Sequence, residues 1–226
     1  MPLSSVLQVK ENRLRFPAAD FLAICLLFST LATACSSDLQ QSALPAGATV
    51  LAFGDSVTHG NGAGPEEDYP ALLAASTQWN VINAGIPGDT ARKARQRIQA
   101  LLVEHRPELV IVELGGNDFL RKRRPADVKE DLRAIVRQTL DFGATTVLVA
   151  VPHLSLMRAG IGSLRDADIY AQLAVEEGIP LITDVFSDVL SDEDLRADRI
   201  HPNAKGYKVL TEGFIEQLGE VGIYRD

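Results

Sequence analysis

From Thr49 onward, short apolar segments alternate with longer amphipathic ones. The candidate strands share a short, apolar composition and are Val50–Phe53, Val81–Asn83, Leu109–Leu114, Thr146–Val151 and Pro180–Thr183. This alternation is typical of a chain in which helices connect parallel β-strands. The pattern therefore predicts a single α/β domain with a parallel sheet, over residues 49–226.

The segments between the candidate strands have helical periodicity. The candidate helices are Ala91–His105, Pro125–Leu140, Asp166–Glu177 and Asn203–Leu218. Each of the first two carries apolar residues at intervals of three and four, which places them on one face of a helix. We expect these faces to cover the sheet.

Polar residues and glycines follow the candidate strands. Ligands bind at the carboxyl ends of the strands in parallel α/β sheets, so these residues are the candidates for a functional site. They lie in the segments Gly54-Asp55-Ser56, Asn83-Ala84-Gly85, Gly115-Gly116-Asn117-Asp118, Pro152-His153 and, before the last helix, Asp198-Arg199-Ile200-His201.

These segments together contain the groups needed for nucleophilic catalysis by a serine. A serine hydroxyl needs a neighbouring base, and that base needs a group that orients it. His201 and Asp198 can supply both if their loop folds back over Ser56. The oxyanion needs fixed donors, for which the candidates are the backbone N–H groups of Ser56 and Gly85 and the side-chain amide of Asn117. This chemistry uses no metal and no cofactor.

Four segments resemble the conserved blocks of the SGNH, or GDSL, hydrolase family. They are FGDSVTHGNG, VINAGIPGDT, VELGGND and DRIHPNAKGY, in the family's order. The resemblance is greatest to the exported thioesterase, lysophospholipase and arylesterase branch. It implies a three-layer α/β/α fold with five parallel strands in flavodoxin-like order. It also implies the roles given above to Ser56, Gly85, Asn117, Asp198 and His201, with an acyl ester, thioester or lysolipid as substrate.

The first 34 residues have the composition of a signal peptide. Basic residues precede an apolar run from Phe21 to Ala34, which is too short to span a bilayer comfortably. The run ends in LATAC, which resembles a bacterial lipoprotein box and implies cleavage before Cys35 and lipidation of its thiol. Residues 35–48 would then be a polar tether. We expect an exported, periplasmic, membrane-anchored bacterial lipoprotein; a simple secretory peptide is the alternative.

The charge of the chain excludes one class of partner. The formal net charge is −8, and the only basic cluster, Arg121-Lys122-Arg123-Arg124, is short and has no interleaved aromatic residues. Duplex nucleic acid is therefore not an expected partner. His59 and His153 are expected near the pocket, with no catalytic role.

Two other functions use the same residues differently. A metal-dependent phosphoesterase could place Asp55, Asn117, Asp118, His153 and His201 around a hard metal ion, although Ser56 would then have no role. A lipoprotein that binds acyl chains without catalysis is the other alternative. The complete set of nucleophile, base and oxyanion donors favours a serine esterase over both.

Overall fold

The computed structural model describes residues 41–153 and 164–225. These residues belong to one compact unit, which runs from Asp38 to Asp226. The segments 1–34 and Cys35, for which a signal peptide and a lipid anchor are predicted, lie outside the described residues. No helix in the described ranges is long and apolar enough to cross a membrane.

Five parallel strands form one sheet, as the resemblance implies. The strands are β1 Thr49–Gly54, β2 Asn80–Gly85, β3 Leu109–Glu113, β4 Thr145–Val149 and β5 Leu181–Ile182. They are ordered β2-β1-β3-β4-β5, and all pairs are parallel. Every residue of β3 is buried, because helices cover both faces of the sheet. This is the predicted flavodoxin-like order.

The helices alternate with the strands along the chain. They are α1 Ser56–His59, α2 Tyr69–Thr77, α3 Ala91–Ala94, α4 Ile98–His105, α5 Gly116–Leu120, α6 Pro125–Phe142, α7 Ile169–Glu177, α8 Val185–Ser191 and α9 Ala204–Glu220. Helix α9 packs against α2 and α8, whereas α6 packs against α3, α4 and α7. The two groups form the outer layers of the fold.

One predicted helix is divided in two. The sequence predicts a continuous helix from Ala91 to His105, but α3 ends at Ala94 and α4 begins at Ile98. The turn between them is tightened by N–H bonds to the third preceding residue, from Gln96 to Lys93 and from Arg97 to Ala94. The predicted apolar face survives this break, since Ala94, Ile98 and Leu102 are all fully buried.

The register of the sheet positions the candidate site. Gly54, the last residue of β1, is opposite Gly85 in β2 and Glu113 in β3. The order of the strands reverses around β1, and such a switch point is where α/β sheets bind ligands. The segments that follow β1, β2 and β3 therefore begin side by side at one edge of the sheet.

Candidate active site

Ser56 lies at the turn between β1 and α1. Asp55 caps the helix, since its Oδ1 accepts a 3.1 Å hydrogen bond from the Val57 N–H. The turn is tight because β1 and α1 approach closely at Gly54. A Cβ atom on Gly54 would lie 1.9 Å from Thr58 Oγ1 and 2.7 Å from the Glu113 carbonyl oxygen, so only glycine fits. This turn points the Ser56 hydroxyl toward the loop before α9.

The side chains of Ser56, His201 and Asp198 form one hydrogen-bonded chain. His201 Nε2 lies 2.9 Å from Ser56 Oγ, and His201 Nδ1 lies 2.8 Å from Asp198 Oδ2. The other Asp198 oxygen, Oδ1, accepts bonds from the N–H groups of Ile200 and His201, at 2.8 and 2.9 Å. The structure thus brings the three predicted residues together across 145 positions of sequence, and the loop itself orients the carboxylate.

Asp198 is kept in its anionic form. Partial burial acts to raise the pKa of this carboxyl, but the bonds from the His201 ring and from two backbone N–H groups together lower it. An ionised Asp198 that accepts from Nδ1–H leaves a lone pair on Nε2, which faces Ser56 Oγ. The His201 ring is therefore in the tautomer that can accept a proton from the hydroxyl.

Asn117 lies beside Ser56 in the first turn of α5. Its Nδ2 donates a 2.8 Å bond to Asp55 Oδ2, which leaves the second amide hydrogen available to a ligand. Asn117 and Ser56 both line a cavity of about 20 Å³. The amide is thus held by a buried carboxylate and lies in the same cavity as the Ser56 hydroxyl.

Two buried carboxyl groups lie behind this amide. Burial raises the pKa of Asp55 to about 6, although its bonds from Val57 and Asn117 act in the opposite direction. Burial also raises the pKa of Glu113 well above its usual value, and the neighbouring Asp55 charge adds to the effect. Glu113 Oε2 accepts a 2.9 Å bond from Thr58, but its Oε1 atom is buried and has no hydrogen-bond partner among the residues that the structure describes. Burial and the neighbouring Asp55 charge both favour the protonated form of Glu113.

The structure does not support Gly85 as an oxyanion donor. Its N–H already donates a 3.0 Å bond to Asn83 Oδ1. Three residues further along the same loop, Gly88 adopts a positive φ of 75°, and its N–H has no acceptor among the described residues. Gly88 is thus the glycine of this loop with a free donor. In the sequence, both glycines occur in NAGIPG, and nothing local distinguishes them.

Arg97 connects the end of β1, the end of β2 and the loop that contains Gly88. Its guanidinium donates to the carbonyl oxygens of Ala84 and Gly54, at 2.9 and 3.0 Å, and to Asp89 Oδ2 at 2.9 Å. It also lies 4.1 Å from the centre of the Phe53 ring. One side chain therefore fixes the ends of β1 and β2 and the residue after Gly88. Arg97 is not among the residues predicted from the sequence, where its only signal is its position as a charged residue between two apolar helical turns.

Three other candidate residues, His59, His153 and Asp118, lie outside the Ser56–His201–Asp198 chain. His59 lines an open groove with His201, as expected of a residue near the pocket. His153 stacks on Phe119, with 4.7 Å between ring centres, and lines a separate cavity. Asp118 is buried and accepts from the Ala91 N–H at 2.9 Å, so it braces the loop before α3. These residues do not converge on one point.

A parallel α/β fold with a Ser-His-Asp chain at its switch point defines an enzyme of the serine hydrolase type. Comparison with known sequences gives the family: the chain belongs to the GDSL-like lipase/acylhydrolase family, whose sequence model matches residues 52–209. The resemblance inferred from the four motifs is thereby confirmed. As a member of this family, the chain is a carboxylic-ester hydrolase.

Individual relatives agree with this assignment. The chain is 33% identical over 178 residues to a protein of Escherichia coli strain K12 named thioesterase 1/protease 1/lysophospholipase L1, and the match covers 75% of this chain and 83% of that protein. A crystal structure of TesA superposes with a TM-score of 0.67 at 28% identity, covering 76% of this chain and 99% of that one. A psychrotrophic esterase EstA from Pseudoalteromonas sp., inhibited by monoethylphosphonate, gives a TM-score of 0.65 at 26% identity, with coverages of 76% and 97%.

Proposed function

We propose that this chain hydrolyses carboxylic esters or thioesters through an acyl-enzyme on Ser56. His201 Nε2 takes the hydroxyl proton while Ser56 Oγ bonds to the carbonyl carbon of the substrate. The tetrahedral intermediate collapses when the bond to the leaving alcohol or thiol breaks, and His201 returns the proton to that group. Water then attacks the acyl-enzyme by the same route, which releases the carboxylic acid and restores Ser56.

The developing negative charge needs donors that are already in place. The Ser56 N–H is the first of these, because it opens α1 and has no acceptor among the described residues. The free amide hydrogen of Asn117 is the second. We assign the third to the Gly88 N–H in place of Gly85. Fixed donors of this kind stabilise the transition state more than the substrate, because the carbonyl oxygen becomes negative only there.

One observation supports the proposal most directly. The His201 ring makes two contacts at once: its Nε2 lies 2.9 Å from Ser56 Oγ, and its Nδ1 lies 2.8 Å from Asp198 Oδ2. A histidine that only packed in a loop would not need both partners. This arrangement lets the base accept a proton from the serine while its own charge is compensated.

Covalent labelling tests the proposal. A p-nitrophenyl alkylphosphonate should inactivate the enzyme and add one phosphonyl group to the peptide that contains Ser56. Ser56→Ala should lose both the labelling and the hydrolysis of p-nitrophenyl acetate, whereas Ser76→Ala, which changes an exposed serine, should keep both. Labelling of another residue, or full activity of Ser56→Ala, would refute the acyl-enzyme.

The metal-dependent alternative lacks a set of ligands. Within the described ranges, no group of three His, Cys, Asp or Glu side chains is arranged to hold a metal ion. His153 and His201, which the alternative would use together, line different cavities. A phosphoesterase would lose activity with a chelator and ignore the phosphonate, so the same preparation distinguishes the two functions.

We also propose that the domain is exported and anchored in a membrane through Cys35. The support is the basic and apolar leader and the LATAC segment. A lipid anchor would hold the enzyme at a membrane surface, where acyl esters occur. This proposal is independent of the catalytic one.

A further inference from the structure

Two spaces of different size meet at the Ser56–His201 pair. The first is the cavity of about 20 Å³ that is lined by Ser56 and Asn117 and by apolar side chains that include Leu120 and Phe186. The second is an open groove of about 600 Å³ beside His201. The groove is bounded by His59, the loop 60–65, Asp68 and Asp198. The two spaces offer different surroundings to the two halves of an ester.

The proposed reaction decides which half enters the groove. His201 returns its proton to the leaving group, so the leaving oxygen or sulfur must lie within hydrogen-bond distance of Nε2. The groove lies on the side of His201 and Asp198, whereas the small cavity lies on the side of Asn117. The leaving group therefore extends along the groove. This assignment rests on the function proposed above.

The groove is polar and already formed. His59 Nδ1 lies 3.1 Å from Asn61 Oδ1, and a neutral ring that donates from Nδ1 to this oxygen has a lone pair on Nε2. The Asn61 amide keeps its own N–H donors. Tyr207 Oη donates to the Asn61 carbonyl oxygen at 2.9 Å, which fixes the loop. A hydroxyl group both donates and accepts hydrogen bonds. The His59 ring can supply the acceptor and the Asn61 amide the donor.

The charge of the groove is negative. Asp68 and Asp198 line it, and the described residues that line it include no lysine or arginine. Arg121 donates to the Gly88 carbonyl oxygen at 3.0 Å, and neither residue lines the groove. A leaving group that carries phosphate would be repelled here, whereas a neutral one would not.

We propose that this groove selects a neutral, hydroxyl-rich alcohol as the leaving group. The preferred substrates are therefore acyl esters of sugar-like or glycerol-like alcohols. Esters and thioesters whose leaving group carries a phosphate are disfavoured. Asp68 is the residue that sets the discrimination by charge. His59 and Asn61 bind the hydroxyl groups.

A matched pair of substrates tests the discrimination. Glycerol monoacetate and acetyl glycerol 3-phosphate differ only in the phosphate, and an O-acetyl methyl glycoside represents the sugar-like source. We expect kcat/KM to be about tenfold higher for the neutral glycerol ester, and the difference to shrink at about 0.5 M salt because screening weakens the repulsion. The glycoside distinguishes a sugar from a glycerol preference. Equal or faster hydrolysis of the phosphate ester would overturn the proposal.

Asp68→Asn locates the discrimination in the groove. Asp68 Oδ1 also caps α2 through the Ala71 N–H, at 3.0 Å, and asparagine retains this cap. The variant should raise the ratio of kcat/KM for the phosphate ester to that for the glycerol ester by about threefold to tenfold. Asp141→Asn, an exposed change elsewhere, should leave this ratio as in the wild type. An unchanged ratio in Asp68→Asn would overturn the assignment of Asp68.

His59→Ala tests the recognition of hydroxyl groups. It should lower the ratio of kcat/KM for the neutral glycerol ester to that for p-nitrophenyl acetate by about fivefold, because the aromatic ester has no hydroxyl to bind. His105→Ala, at the end of α4, should leave the ratio as in the wild type, and a ratio unchanged in both variants would refute the role of His59. If wild type hydrolyses none of these esters and is not labelled at Ser56, the proposed function itself fails.

Discussion

The side-chain amide of Asn117 donates a 2.8 Å hydrogen bond to Oδ2 of Asp55, the residue before the candidate nucleophile. Asp55 is 3% exposed, and its other oxygen accepts from the Val57 N–H. Both carboxylate oxygens are therefore used for positioning: one fixes the helix that begins at Ser56, and the other fixes the amide beside it. One buried side chain therefore sets the relative placement of Ser56, the candidate nucleophile, and Asn117, the candidate oxyanion donor.

Removal of the Asn117 amide should affect chemistry more than binding. Asn117→Ala should lower kcat by about a hundredfold to a thousandfold while KM changes little, since the lost bond matters most in the transition state. Steady-state kinetics on one p-nitrophenyl ester at pH 8 measures both constants. Asn117→Asp should be worse than Asn117→Ala if its carboxylate is ionised. Near-normal kcat in Asn117→Ala would refute its role as a donor.

The Asp55 carboxylate should act through Asn117. In Asp55→Asn, one atom of the new amide can still accept from either Val57 or Asn117, but the other carries hydrogens and faces a donor. We expect kcat to fall by about tenfold to a hundredfold with KM nearly constant. The double variant with Asn117→Ala should lose little beyond Asn117→Ala alone. Additive losses in the double variant would show that Asp55 acts independently of Asn117.

Arg97 should be a positioning residue for the loop that carries Gly88. Arg97→Met removes the bonds to Gly54, Ala84 and Asp89 together, so kcat should fall by about tenfold or more. Affinity for a trifluoromethyl ketone, which mimics the oxyanion, should fall in parallel, whereas KM should not. Arg95→Gln is the control, because it removes only an ion pair with Asp131. A purely structural role would lower thermal stability and leave the ketone affinity unchanged.

Stability should depend on pH through Glu113. The raised pKa of Glu113 means that the folded protein retains a proton that the unfolded chain releases above about pH 4.3. The free energy of unfolding should therefore decrease as pH rises, with a slope of up to about 1.4 kcal/mol per pH unit for this proton. Glu113→Gln keeps the shape and lacks the proton, so its stability relative to wild type should increase between pH 5 and pH 8. Urea unfolding at both pH values measures this, and a constant difference would contradict it.

The predicted anchor can be tested by fractionation. Cys35→Ser should move active enzyme from the membrane fraction to the soluble fraction, because a serine hydroxyl cannot replace the thiol that is lipidated. Cys25→Ser, within the leader, is the matched control and should leave the distribution unchanged. Wild type that is already soluble, with an N-terminus other than Cys35, would refute the anchor and leave the catalytic proposals intact.

Strand positions were predictable because buried parallel strands have a distinctive composition. LVIVE in β3 is apolar apart from its last residue and is buried throughout, and each of the five candidate segments contains or overlaps an observed strand. Helix ends were less predictable. The turn between α3 and α4 has no proline or glycine to mark it, and Arg97 in this turn donates to the carbonyl oxygens at the ends of β1 and β2.

In the candidate site, too, some residues could be predicted from the sequence and others could not. Four candidate residues act through a side chain in a short motif, and these could be chosen from the sequence. They are Ser56, Asn117, Asp198 and His201, which the structure places next to one another. The proposed backbone donor could not be chosen from the sequence. Both Gly85 and Gly88 have an N–H group, and what distinguishes them is the direction in which each N–H points. That direction depends on the acceptor that Asn83 offers to Gly85 and on the positive φ of Gly88.

The sequence by itself determined the parallel α/β sheet, the family and the side chains that can act as nucleophile, base and amide donor. These follow from the order of apolar and polar residues along the chain, which is local information. The tertiary structure decided which backbone N–H remains free, which carboxyl has a raised pKa and which groove adjoins His201. Each of these depends on distances and burial between segments far apart in sequence, such as Asp55 with Glu113 and His59 with His201, and no local pattern encodes them.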